Sequence, residues 1–178
     1  MKASHHLVNL PADNSWYLIY TKPRQELVAQ ENLERQGYMT YLPRIERIKK
    51  RHGKRLKTIE AFFPRYLFIS LNKTTDNWSS IRSTIGVANM VRFSQFPAVV
   101  PDSLISQLMH QENPDSGFHE EEAGFVKGSK VRITEGALSG YEGMFEAQTG
   151  EERVIILLNV MGNLSNVKVD IDSVESVS

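Results

Sequence analysis

Few side chains in this chain are placed to make or break covalent bonds. There is no cysteine, which removes thiol catalysis, disulfides and thiolate-held zinc. His5, His6, His52, His110 and His119 have neither ligand nor triad spacing. No glycine-rich phosphate loop and no G-x-S-x-G elbow occurs. The chain therefore reads as a binding protein, not an enzyme, with no cofactor and no metal. Its chemical signal is cationic and aromatic. Residues 44–57 hold eight Lys/Arg against one Glu, with Lys49, Lys50 and Arg51 consecutive. So one-sided an excess is costly to pack without a polyanion nearby and suits an element that tracks phosphates. Just downstream, Phe62, Phe63, Tyr66 and Phe68 crowd into seven residues, the kind of rigid apolar anchors that dominate interfaces.

Stepping outward, residues 66–71 alternate in an extended pattern with apolar groups on both sides, which predicts a central strand or a strand with one aromatic docking face. Pro64 suits its entrance. Residues 15–20 are aromatic and β-branched and predict the first strand. Pro23 opens a helix that Gly37 closes as a left-handed cap. Residues 38–42 predict a second strand. His52-Gly53 is the turn of a basic hairpin with arms near 44–51 and 54–60. A short helix over 74–82, with Asp76 as its N-cap, is followed by a strand over 89–93 and a helix from 101. The order β-α-β-β-β-α-β-α predicts an α+β sandwich. Residues 112–125 read as an exposed linker. Beyond them, glycine spacing and short β-branched runs, among them 153–160, predict a small five-stranded barrel. The resulting division is a flexible tail over 1–14, a first domain over 15–111, the linker over 112–125 and a second domain over 126–178.

Charge divides along the same line. Residues 1–111 carry 16 Lys/Arg against 8 Asp/Glu, a net +8, and residues 112–178 carry 5 against 13, a net −8. One domain thus faces a polyanion and the other opposes it. No apolar run approaches the ~20 residues of a bilayer span, and the N-terminus lacks a signal-peptide core. The expectation is a cytoplasmic monomer without membrane contact.

Six segments together carry a family resemblance: residues 16–20 (WYLIY), 32–37 (NLERQG), 63–68 (FPRYLF), 81–87 (IRSTIGV), 91–93 (VRF) and 128–136 (GSKVRITEG). In this order the chain resembles the NusG transcription elongation factors over about residues 15–177, and within them the specialised RfaH-like paralogs. The resemblance implies an NGN-like N-terminal domain that docks on the clamp helices of RNA polymerase and suppresses pausing. Leu18, Tyr20, Tyr66, Phe68 and Phe93 match its docking pocket, and Asn77, Trp78 and Ser79 match its contact to the gate loop. Lys22, Arg24 and Arg82 match a groove for the non-template DNA strand, although Pro23, Asn32 and Ile85 depart from the RfaH pattern. The resemblance also implies a C-terminal KOW β-barrel, with an α-helical hairpin as the alternative of an RfaH-like autoinhibited state. Glu60 and Arg153 match the interdomain ion pair of that state. β-Branched runs favour the barrel, which would offer Ile155 and Met161 at an exposed edge to ribosomal protein S-ten or to Rho. Two other readings stand beside the RfaH-like antiterminator: a general NusG-type factor engaging Rho, and an RNA-binding or ribosome-associated KOW protein.

Overall fold

The structure is a computed structural model that describes residues 13–121, 144 and 147–164. The chain forms two compact units, residues 1–120 and 121–178.

The first unit is mixed α+β, built on a sheet of order β2-β5-β1-β6, with β9 also pairing β1. Strand β1 (Asn14–Thr21) runs antiparallel to β5 (Tyr66–Asn72), placing Leu18 opposite Phe68 and Tyr20 opposite Tyr66. Short β2 (Met39–Tyr41) flanks β5, so β5 is internal and its residues 66–71 are all buried. Strand β6 (Val87–Met90) pairs the other side of β1 with a register shift at Tyr20/Thr21. Tyr17, Ile19, Leu67, Ile69 and Leu71 point to one face. They pack with Ala29 and Leu33 of helix α1 (Glu26–Arg35) and Ile81 of helix α2 (Trp78–Arg82). Period-2 alternation then sends Leu18, Tyr20, Tyr66 and Phe68 to the opposite face.

Helix α1 begins later than Pro23 predicts, at Glu26, because Lys22 to Gln25 form a turn closed by the Gln25 N–H on the Lys22 carbonyl. Its end matches expectation. Gly37 has φ 91°, its N–H bonds the Glu34 carbonyl, and the Tyr38 N–H bonds that of Leu33, the paired bonds of a Schellman cap. Helix α2 is shorter than the expected 74–82. Asn77, not Asp76, caps it by accepting the Ser79 N–H at 3.1 Å. Asp76 instead accepts the Asn72 N–H at 2.7 Å and closes the preceding turn.

Strands β3 (Arg44–Arg51) and β4 (Lys54–Ala61) form the basic hairpin in unbroken register. His52 (φ 51°) and Gly53 (φ 75°) make its two-residue turn, the doubly positive geometry that matches strand twist. After β7 (Arg92–Phe93), β8 (Phe96–Pro97), β9 (Val99–Val100) and helix α3 (Asp102–His110), the chain does not become a free linker. Strand β10 (His119–Glu120) pairs in parallel with β3 at Ile45 and Glu46. The cause is burial. His119 is inaccessible and stacks on Phe62 at 4.3 Å, and the Arg44 guanidinium lies over Phe118 at 4.9 Å.

In the second unit, helix α4 (Gly150–Leu164) occupies the segment whose residues 153–160 were expected as a strand of the barrel, and agrees over this stretch with the helical alternative. Two local features explain this correction. Thr149 accepts the Glu152 N–H at 3.2 Å while Glu152 accepts the Gln148 N–H at 3.1 Å, close to a capping box. Val154, Leu157, Leu158 and Met161 then recur at i, i+3, i+4 and i+7 and are all buried. The β-branched run thus also carries a helical stripe. Gly162 falls in the last turn, where it breaks little. The tail over 1–12 and the expected strands near 130–133, 167–171 and 174–177 lie outside the described residues.

Candidate functional site

The expected docking residues differ in access, and alternation puts Leu18, Tyr20, Tyr66 and Phe68 on one face of the sheet, while Phe93 lies on β7. Leu18 and Phe68 are fully buried, Tyr66 is nearly so, and Tyr20 and Phe93 are half-buried. As two directly opposite cross-strand pairs, Leu18/Phe68 and Tyr20/Tyr66 support one another as well as any ligand. Phe68 meets Tyr41 at 6.1 Å and Phe63 edge-on at 5.9 Å, and Tyr20 meets Tyr66 at 5.2 Å. Of these five positions, four rings and Leu18, three are buried in this structure. Tyr20 and Phe93 are the two that stay partly exposed.

Arg65 fixes the accessible end. It has φ 71°, strained for a side-chain-bearing residue. Three contacts over-determine it: its N–H bonds Glu26 at 3.0 Å, its Nε bonds the Thr21 carbonyl at 3.1 Å, and its guanidinium covers the Tyr20 ring at 4.2 Å. Burial pushes the Tyr66 hydroxyl up to about 12, with Tyr20 adding to the shift and Arg65 opposing it. Burial also raises Tyr20, again against Arg65. Both rings therefore stay neutral and apolar across the physiological range.

The matched gate-loop residues have structural duties. Asn77 and Ser79 hydrogen-bond each other at the cap of α2, and Trp78 packs edge-on against Tyr17 at 4.8 Å. Only Asn77 and Ser79 are exposed. Lys22, Arg24 and Arg82 are all exposed. The Lys22 N–H bonds the Gly86 carbonyl at 2.9 Å, which ties the turn bearing Lys22 and Arg24 to the loop after α2, where Arg82 ends the helix.

On the hairpin, Lys50 and Arg51 are exposed, whereas Lys49 is bonded to Glu60, which also faces Arg47 at 3.7 Å. The Lys49 bond, joined by Arg47, holds the Glu60 carboxyl below its ordinary range against an opposing burial effect. At the hairpin's root lies a cluster that the sequence reading missed. Tyr41 donates to Glu112, whose carboxylate lies 3.9 Å from His119 Nε2. These groups are brought together only by folding, and no spacing signals them.

Arg153 is buried in α4, where its Nη1 donates to the Ala147 carbonyl at 3.1 Å. Ile155 is half-buried and Met161 fully buried on the same helix, so neither stands on the expected exposed strand edge. Among the described residues, no group of three His, Asp or Glu could hold a metal ion, and no helix is long and apolar enough to cross a membrane.

The family match falls inside the first unit, whereas the full-length relatives align across both units. Residues 14–109 match the family described as transcription termination factor NusG. Transcription termination/antitermination protein NusG of Staphylococcus aureus strains Mu50, N315 and MW2 is 25% identical over 174 residues, covering 91% of this chain and 95% of each relative. A solved structure, "Domain interaction in Thermotoga maritima NusG", aligns with 66% of this chain and 68% of its own at 20% identity and TM-score 0.39.

Proposed function

This chain belongs to the NusG family, and from that premise we propose that it is a non-catalytic transcription elongation factor that docks on RNA polymerase through the outer face of β1 and β5. It works in the cytoplasm as a monomer, grips the clamp helices, and suppresses pausing or termination. The observation that carries this reading is the pair of cross-strand rungs Leu18/Phe68 and Tyr20/Tyr66, which set an aromatic surface on the face away from α1 and α2. Leu18, Tyr66 and Phe68 shape that surface; Tyr20 and Phe93 touch the partner. Asn77 and Ser79 present the polar contact to the gate loop, and Lys22, Arg24 and Arg82 follow the non-template strand.

The test uses the half-buried rings, since their loss leaves the core intact. Tyr20→Ala combined with Phe93→Ala is expected to lower retention on core RNA polymerase at least tenfold, with thermal stability nearly unchanged. Full retention by a folded double variant would refute the docking surface. Turnover by the purified protein in hydrolase assays would refute the non-catalytic assignment.

Helix α4 favours the RfaH-like specialist over a general Rho-engaging factor or a ribosome-associated KOW protein. Its sequence carries both a β-branched run and a helical stripe, the dual coding that a segment with two folds requires. In this reading the C-terminal unit refolds to a barrel and then offers Ile155 and Met161 to ribosomal protein S-ten or to Rho. Far-UV circular dichroism of residues 126–178 alone is expected to be strand-like, beside a more helical whole chain. Equal helicity per residue in the two samples would remove the refolding step and leave the polymerase-docking reading untouched.

A further inference from the structure

The hairpin register sorts its charges in a way that composition does not reveal. Directly opposite residues of an antiparallel pair share a face. One face carries Glu46/Ile59, Ile48/Lys57 and Lys50/Arg55; the other carries Ile45/Glu60, Arg47/Thr58, Lys49/Leu56 and Arg51/Lys54. Each face has one carboxylate, and each carboxylate sits near the root. Glu46 binds Lys57 at 3.1 Å, and Glu60 binds Lys49 and Arg47. The root is therefore compensated on both sides. The last two rungs are not: Lys50 faces Arg55 on one side and Arg51 faces Lys54 on the other, and all four are exposed. Like charges set directly opposite each other destabilise a ribbon. The repulsion is duplicated on both faces, and each face also exposes an aliphatic group behind its cations, Ile48 on one and Leu56 on the other.

We propose that this hairpin enters a nucleic-acid duplex tip-first, between its two phosphate backbones, with Lys50 and Arg55 meeting one wall and Arg51 and Lys54 the other. A ribbon lying on a single backbone would need cations on one face only. The two uncompensated rungs, 50–51 with 54–55, extend about 7 Å at 3.3 Å per residue, within the depth of about 8.5 Å of a duplex major groove, which at about 12 Å wide admits a two-stranded ribbon. Phosphates on both walls then neutralise the facing cations and relieve their cross-strand repulsion, and the counterions so displaced add to the affinity. The doubly positive turn at His52 and Gly53 holds the four cations in place without an intervening loop. This inference rests on the transcription reading only for the nearness of DNA. Of its residues, Lys54 and Arg55 are new to the surface, and Lys49 passes from phosphate contact to a root ion pair.

The experiment measures binding of the full chain to a short labelled DNA duplex by fluorescence anisotropy across a salt series. Two variants separate the faces: Lys50→Gln with Arg55→Gln, and Arg51→Gln with Lys54→Gln. Each is expected to reduce the slope of log affinity against log salt by about 1.8, two phosphates at about 0.9 each. The fourfold variant should lose about 3.6, again at about 0.9 per phosphate. Loss confined to one double variant would overturn the two-walled placement, as would binding of single strands only. A wild-type chain that ignores duplex would overturn it too. None of these outcomes bears on polymerase retention through Tyr20 and Phe93, which is scored without DNA.

Discussion

Phe68→Ala will destabilise the N-terminal unit by about 3–5 kcal/mol, the usual cost of emptying a buried phenylalanine site. Phe68 has no solvent exposure, lies on the internal strand β5, and touches the rings of Tyr41 and Phe63. An internal strand held on both edges leaves little room for collapse into the void, which places the loss toward the upper end. Urea unfolding followed by tryptophan fluorescence measures it, since Trp16 and Trp78 both belong to this unit. A loss below about 1 kcal/mol would mean that the ring is not packed as the structure has it. The size of the effect also decides how docking must be probed. A polymerase-binding defect in Phe68→Ala would report unfolding as readily as a missing contact, whereas Tyr20 and Phe93 avoid that ambiguity.

Gly86→Ala should be nearly as damaging, for a different reason. Gly86 has φ 90°, and an added Cβ would lie 2.7 Å from the Ala29 backbone nitrogen and 3.0 Å from its Cα. Left-handed strain alone costs about 1–2 kcal/mol. The clash is with helix backbone, which cannot rotate aside as a side chain can, so α1 must shift. Gly37 supplies the control: it has nearly the same φ of 91° but nothing within 4 Å of the built atom. Gly37→Ala should therefore lose only the strain, about 1–2 kcal/mol, and Gly86→Ala clearly more. Equal losses in parallel denaturation curves would show that close approach to α1 is unimportant. Because the Lys22 N–H bonds the Gly86 carbonyl, the same substitution should also disturb the cationic turn at Lys22 and Arg24.

What could be read in advance was what short stretches decide for themselves. The hairpin was legible because His52-Gly53 and its flanking charges specify a turn within a few residues. The end of α1 was legible because only Gly37 there tolerates its φ. Strand β10 was not, since two residues pairing in parallel with a strand some 70 positions earlier leave no periodic trace. Its segment looked like linker because its polar residues outnumber the two, Phe118 and His119, that secure it. Helix α4 was hidden behind its β-branched content, which favours strand, although the Thr149-x-x-Glu152 cap and the stripe of Val154, Leu157, Leu158 and Met161 favour helix in the same residues. At the docking face, alternation gave the correct side for Leu18, Tyr20, Tyr66 and Phe68, but side alone does not give access.

The pairing of β10 with β3 has a consequence for how the chain is made. Residues 44–61 can zip into a hairpin within microseconds of emerging. Their root, however, is gripped only when His119 arrives. At about 5–20 residues per second, translation leaves an interval of roughly 3–12 s. Throughout it, a nascent chain carries its cationic ribbon on an unfastened base, so chain order alone delays completion of the first unit until its last two residues are synthesised.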